Sequence, residues 1–165
     1  MKTKIAAVLF TFLLAGSLIA SSEQNGQPNN EKFLIITGME TAGALIDPGT
    51  YTPLKSGNMK LRGKISIYND QYPGYPQFSG EAVVTTNCNI NKDGTMQCWG
   101  AFWPTNAPGS GSFVGTWEGE FDVWGNGSYK LIAHGVGPMD GYEARADASY
   151  PTGDLVMKIF LAHDK

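Results

Sequence analysis

Two cysteines, two histidines and a low proportion of charge leave this chain with few of the usual means of doing chemistry. The histidines, His134 and His163, are far apart and have no ligand-like spacing, so no zinc site is indicated. There is no Gly-x-Ser-x-Gly elbow, no P-loop and no dinucleotide fingerprint. Gly135-Val136-Gly137 is too short for a phosphate loop, and no long helical pattern follows it. Charged residues make up 16% of the chain, with a net charge of -3. Lys and Arg are scattered, which excludes the basic footprint of a nucleic-acid-binding protein. Strong helix formers are sparse, which argues against a helical fold. Nothing in the chain calls for a cofactor.

Only one apolar run is long enough to suggest targeting. Lys2 and Lys4 precede Ile5–Leu14, an apolar stretch broken only by Thr11, and small residues follow at Ala20, Ser21 and Ser22. Residues 1–22 therefore read as a secretory signal, and the mature protein is expected to be secreted or periplasmic. The run is shorter than the ~20 residues a membrane span needs, so the mature chain is not expected to be membrane-embedded. Loss of Lys2 and Lys4 takes the net charge from -3 to -5. Residues 23–32 are polar and rich in Gln, Asn, Gly and Pro, a flexible lead-in. The remainder, 33–165, suits a single domain with its own core.

What is abundant is Gly, Thr, Asn and aromatics, the composition of strands and tight turns. Phe33 to Met39 reads as a buried first strand. Residues 40–58 carry a turn at Asp47-Pro48-Gly49 and otherwise fit either a helical turn or an irregular crossover. From Met59 the period is two: Met59, Leu61, Gly63, Ile65 and Ile67 are expected inside, with Lys60, Arg62 and Lys64 outside. Further strands are expected at about 79–90, 95–103, 112–124, 128–136, 139–149 and 154–163. The expected fold is all-β, a single antiparallel, eight-stranded closed barrel, with a sandwich as the alternative.

Cys88 and Cys98 lie symmetrically about Lys92-Asp93-Gly94, a three-residue hairpin loop with Gly94 in the left-handed position. With Asn91 and Thr95 as the hydrogen-bonded closing pair, Cys88 and Cys98 face each other in a non-hydrogen-bonded pair. A disulfide is expected there, acting mainly to lock register. Asn89-x-Asn91-x-Asp93-Gly94 imitates the start of a calcium loop. The twelfth position is Gly100 where the motif needs Glu, so the hairpin accounts for these residues.

The stretch Val114–Gly141 is the most patterned part of the chain. Phe113, Gly115, Trp117, Gly119, Phe121 and Val123 share one face; Thr116, Glu118, Glu120 and Asp122 share the other. Placing Gly125-Asn126-Gly127 as a three-residue loop sets Phe121 opposite Leu131, Asp122 opposite Lys130 and Glu118 opposite His134. Glu118, His134 and Glu120 are then candidate acid–base residues. The plainer reading is a solvated face of cross-strand charge pairs worth little energetically. Asn126-Gly127-Ser128 also fits a glycosylation acceptor. Aromatics gather at Tyr72, Tyr75 and Phe78, and at Phe102 and Trp103. Of these, Tyr72, Tyr75, Phe102 and Trp103 are candidates for stacking on a glycan or covering an apolar ligand. Loop packing against a barrel end is the alternative.

The run His134–Gly141, HGVGPMDG, resembles a turn in the allene oxide cyclase and dirigent-type barrel families. Their chains carry a Gly-x-Gly-x-aromatic-acid-Gly-like turn between two late strands. Here Met139 occupies the aromatic position and Asp140 the acidic one. The likeness covers about twenty residues and the general strand order. It implies an eight-stranded barrel with an elongated apolar cavity, often a homo-oligomer, and no cofactor. None of the family's catalytic residues falls on a matching position.

Two functions fit these observations. One is a binding or interaction module holding a small, mainly apolar ligand in the barrel mouth. The other is a cofactor-free isomerase, cyclase or hydrolase using strand carboxylates and His134.

Overall fold

The alternating runs fold into antiparallel strands, each hairpin handing on to the next. A computed structural model describes residues 33–105 and 113–161. The leader at 1–22, the lead-in at 23–32 and His163 lie outside the described residues. The strands are β1 (Phe33–Asp47), β2 (Thr50–Pro53), β3 (Met59–Gln71), β4 (Gly80–Ile90), β5 (Met96–Pro104), β6 (Phe113–Phe121), β7 (Gly127–Gly135), β8 (Tyr142–Tyr150) and β9 (Asp154–Leu161). Short 3₁₀ turns lie at Pro76–Phe78 and Gly137–Met139.

One sheet holds all nine strands, in the order β1-β9-β8-β7-β6-β5-β4-β3-β2, and β1 also pairs with β3. That pairing closes an eight-stranded antiparallel barrel with β2 as an extra strand. Closure leaves no long unpaired edge among the eight. β1 makes it possible by serving two neighbours: Phe33 to Met39 pair with β9, and Met39 to Asp47 pair with β3. The stretch from 40 onward is thus a continued strand, neither a helical turn nor a crossover. Pro48-Gly49 interrupts it, with the Gly49 N–H donating to Asp47 Oδ1 at 2.8 Å. β2 then runs on along the same side of β3.

Three hairpins use one loop plan. Loops at 55–57, 92–94 and 123–125 each end in a left-handed glycine: Gly57 (φ 86°), Gly94 (φ 88°) and Gly125 (φ 84°). The 92–94 loop pairs Cys88 with Cys98 as expected, and the disulfide is formed across a Cα–Cα distance of 4.1 Å.

The 123–125 loop lies two residues earlier than the sequence suggests. Asp122 Oδ1 accepts from the N–H groups of Trp124 and Asn126, both at 2.8 Å, and this side-chain turn fixes the loop's position. Gly127 is held inside the sheet instead, where a Cβ would overlap the Glu120 carbonyl oxygen. A two-residue displacement keeps residues 113–121 on their expected faces but moves every partner by four. It also carries Val123, expected on the inner face, into the loop, where it is 54% exposed. Phe121 therefore faces Gly127, Trp117 faces Leu131, and Glu118 faces Lys130.

In β3 the expected burial holds at Leu61 but not at Met59 or Gly63, which are exposed, and Arg62, expected outside, is half-buried. Between Leu61 and Lys64 the pairing with β4 slips by one residue. Gly63 supplies the bulge with φ 70°. Beyond it the faces exchange: Lys64, Ser66, Tyr68 and Asp70 turn inward, while Ile65 and Ile67 are half-buried on the outer face. The expectation that Ile65 and Ile67 lie inside and Lys64 outside is corrected by this bulge.

The interior is asymmetric. One part is packed by Ile36, Tyr72, Phe78, Phe113, Leu155, Met157 and Ile159 against the small side chains Ala133, Ala144, Ala146 and Ala148. Leu61 and the disulfide form a separate small cluster with Trp117 and Phe121. Between these clusters the barrel is open.

Candidate functional site: a carboxylate pair inside the barrel

Two acids reach the interior by different routes. On β1, Ile36, Gly38 and Glu40 alternate inward without interruption. On β3, Asp70 faces inward only because the Gly63 bulge reversed the strand. Closure of the barrel makes Glu40 and Asp70 direct cross-strand partners. Like charges in that relationship repel, and burial weakens the solvent that would screen them.

Among the described residues, only Glu40 of the two acids has a hydrogen-bond donor. The Tyr129 hydroxyl, from β7 across the barrel, donates to Glu40 Oε1 at 2.6 Å, a length typical of a charge-assisted bond. Asp70 Oδ1 is fully covered and has no hydrogen-bond partner among the described residues. Burial pushes the Asp70 carboxyl from 3.8 up to about 7, and the neighbouring Glu40 charge adds to the rise. Burial also raises Glu40, while the Tyr129 bond opposes the rise. Asp70 is thus the carboxyl of the pair that takes up or releases a proton near neutrality.

Tyrosines surround the pair. Burial raises the phenols of Tyr68, Tyr72 and Tyr129, and the Glu40 charge raises them further. They stay protonated at physiological pH and present hydroxyl donors. Tyr150 is close enough to Tyr68 to affect its titration.

Two cavities adjoin the pair. A chamber of about 270 Å³ is lined by Glu40, Asp70, Tyr68 and Tyr150 together with Phe102, Trp117, Phe121 and the disulfide. Exposed Tyr51 and Tyr150 stand at its rim. A smaller pocket of about 40 Å³, walled by Tyr72, Phe78, Phe113 and by Ala144 and Ala146 of β8, touches the same two acids. Gly100 helps shape the chamber. A Cβ there would overlap the Thr85 carbonyl oxygen and crowd the Trp117 indole nitrogen. Without it, the Trp117 indole N–H donates to Thr85 O at 3.0 Å.

The acid–base candidates read from the sequence are placed elsewhere. Glu118, Glu120 and His134 are exposed on the outer face. Glu118 lies between Trp99 and Lys130, Glu120 between Gln97 and Ser128, and His134 between Val114 and Glu143. The expected Glu118–His134 pairing does not form, because Asp122 sets the loop two residues earlier. Of the aromatic candidates, Phe102 lines both cavities and Tyr72 is buried in the smaller one, its hydroxyl 3.9 Å from Met157 Sδ. Tyr75 is half-buried against Phe78, their ring centres 6.2 Å apart. Trp103 is 40% exposed on the barrel's outside.

Sequence reasoning missed Glu40 and Asp70. Gly63 was the available signal, since a glycine within a strand marks a bulge, and a bulge reverses parity.

No family model, curated protein or solved structure matches this chain. Among the described residues, no three His, Cys, Asp or Glu side chains come together to hold a metal ion, and no helix is long and apolar enough to cross a membrane.

Proposed function

We propose that this barrel is a binding module that takes a small, mainly apolar molecule into its interior chamber. The carrying observation is the chamber itself. It is bounded chiefly by apolar and aromatic side chains, with the Glu40–Asp70 pair, the tyrosines and, farther along β3 and β4, Lys64 and Thr86 set among them. Its volume of about 270 Å³ lies near the lower end of small-molecule sites, roughly 300–1,000 Å³. The turn at 134–141 and an eight-stranded barrel with an apolar interior support kinship with the allene oxide cyclase and dirigent-type barrels. No activity is carried over from them.

The test uses a neutral apolar fluorophore, N-phenyl-1-naphthylamine. Saturable binding is expected, and Leu131→Trp, which fills the chamber, is expected to abolish it while thermal unfolding stays cooperative. Absence of saturable binding, or binding indifferent to Leu131→Trp, overturns the reading.

A second reading is a cofactor-free acid–base enzyme, and Asp70 favours it. A carboxyl held near neutrality beside an open chamber can give or take a proton from a bound molecule. Asp70→Asn would then abolish turnover of a substrate while leaving its binding intact.

Export accompanies either reading. A signal-like leader and a disulfide suit an oxidising compartment. A mature N-terminus near residue 23 on sequencing the exported protein supports it, and retention of the leader refutes it.

A further inference from the structure

We propose that the chamber's ligand is an organic ammonium ion, a primary or secondary amine carried on an apolar body. The inference rests on the chamber-binding reading and names its ligand class. Three features of the site lead to it.

The first is charge. Glu40 and Asp70 are paired across two strands at the inner end of the chamber, and no cation contributes to the titration of Asp70. The titratable and charged groups around them are Tyr51 from β2, Lys64 and Tyr68 from β3, Tyr72 just beyond it, Tyr129 from β7 and Tyr150 from β8. β4, β5, β6 and β9 bring only uncharged side chains to these walls. An unpaired anionic couple of this kind disfavours an anionic ligand and favours a cation.

The second is the empty acceptor. Glu40 has a donor in Tyr129, whereas Asp70 Oδ1 is covered and has none among the described residues. Buried polar atoms in native proteins are almost always satisfied. No described residue supplies that partner to Asp70 Oδ1, and Asp70 lines the chamber, the side from which a ligand's donor reaches its carboxyl. An ammonium group supplies up to three N–H donors together with the charge the pair lacks; a hydroxyl supplies one donor and no charge.

The third is the wall. Phe102, Trp117 and Phe121 line the chamber beside the acids, providing apolar cover for a hydrocarbon body and ring faces that attract a cation.

Binding displaces a proton. When Asp70 is protonated, the entering ammonium takes the place of that proton, which leaves to solvent as the N–H···O contact forms. The amine remains charged over the range in which Asp70 titrates, so affinity rises with pH up to about 7 and then levels off.

Phenethylamine, its neutral analogue 2-phenylethanol and the anion 3-phenylpropanoate serve as probes, measured by calorimetry and by displacement of N-phenyl-1-naphthylamine from the full chain. At pH 8 the amine is expected to bind about 10- to 100-fold more tightly than the alcohol, as a charged hydrogen bond would give. The advantage should shrink at pH 5. Asp70→Asn should erase it without weakening the alcohol. If the alcohol matches the amine in the wild-type protein at pH 8, the ammonium inference falls and the chamber reading stands. That comparison does not depend on whether the variant folds. If no probe binds, the naphthylamine included, both fall together.

Discussion

Asp70 stands directly opposite Glu40 on the seam where β1 closes against β3, and among the described residues only Glu40 of the two is hydrogen-bonded, by Tyr129 from across the barrel. Two acids in this relationship cost stability when both are ionised. The site is thus held by the rest of the fold against its own electrostatics, a common condition of binding and catalytic sites.

The pH dependence of stability follows from that cost. The folded state raises Asp70 from 3.8 to about 7, so it holds the proton more tightly than the unfolded chain does. The resulting stability is fully present below the unfolded value and is lost as pH rises through the folded one. The loss between pH 4 and pH 8 is up to about 4 kcal/mol, and Glu40, also raised, acts in the same direction. Asp93 and Asp122, lowered by hydrogen bonds from Thr95 and Asn126, act oppositely, their contribution being lost as pH falls below the usual carboxylate range. Denaturant unfolding from pH 4 to 8 should show a decline that Asp70→Asn flattens. Parallel curves for the two proteins would contradict the buried, unpaired state of Asp70.

Two glycine-to-alanine changes should separate backbone strain from steric exclusion. Gly63→Ala meets open space but retains φ 70°, at a cost of about 1 kcal/mol. Gly100→Ala drives a methyl into the Thr85 carbonyl and the Trp117 indole, at about 3 kcal/mol, with a change in Trp fluorescence. Equal costs would mean that Gly100 does not make room for Trp117.

The Cys88–Cys98 disulfide closes a short loop, with a sequence separation of 10. Replacing both cysteines with alanine should cost about 2–3 kcal/mol. Amide protection across β4 and β5 should fall more than protection across β7 and β8. Uniform loss of protection would show that the bridge does not act on local register.

Glu118→Gln and His134→Ala should each change stability by less than about 0.5 kcal/mol, because both side chains are exposed and are not paired with each other. Naphthylamine binding should be unchanged. A marked loss of binding in either variant would place function on the outer face rather than in the chamber.

Much of the architecture was legible because it is local. The alternation of Phe113, Trp117 and Phe121 against Glu118 and Glu120 assigns inside and outside correctly, since a two-residue loop displacement preserves parity. The hairpin at Lys92-Asp93-Gly94 needs only a left-handed glycine and a symmetric pair of cysteines, and both can be read directly from the chain. The loop at Val123-Trp124-Gly125 was misplaced because two glycines competed for one role. Asp122 decided between them through hydrogen bonds that spacing alone does not reveal.

By itself, then, the sequence determined the strands from Met59 onward, the hairpin order, the disulfide and the faces of β6, because period and turn chemistry act over a few residues. It missed that β1 continues through Asp47 and that Phe33, Leu34, Ile35 and Met39 are exposed. Only the tertiary structure decided the site. Glu40 and Asp70 are thirty positions apart in sequence, and one of them faces inward only after a bulge. They become neighbours when β1 leaves β9 and pairs with β3. That contact exists because the barrel closes, and closure depends on the packing of all eight strands at once.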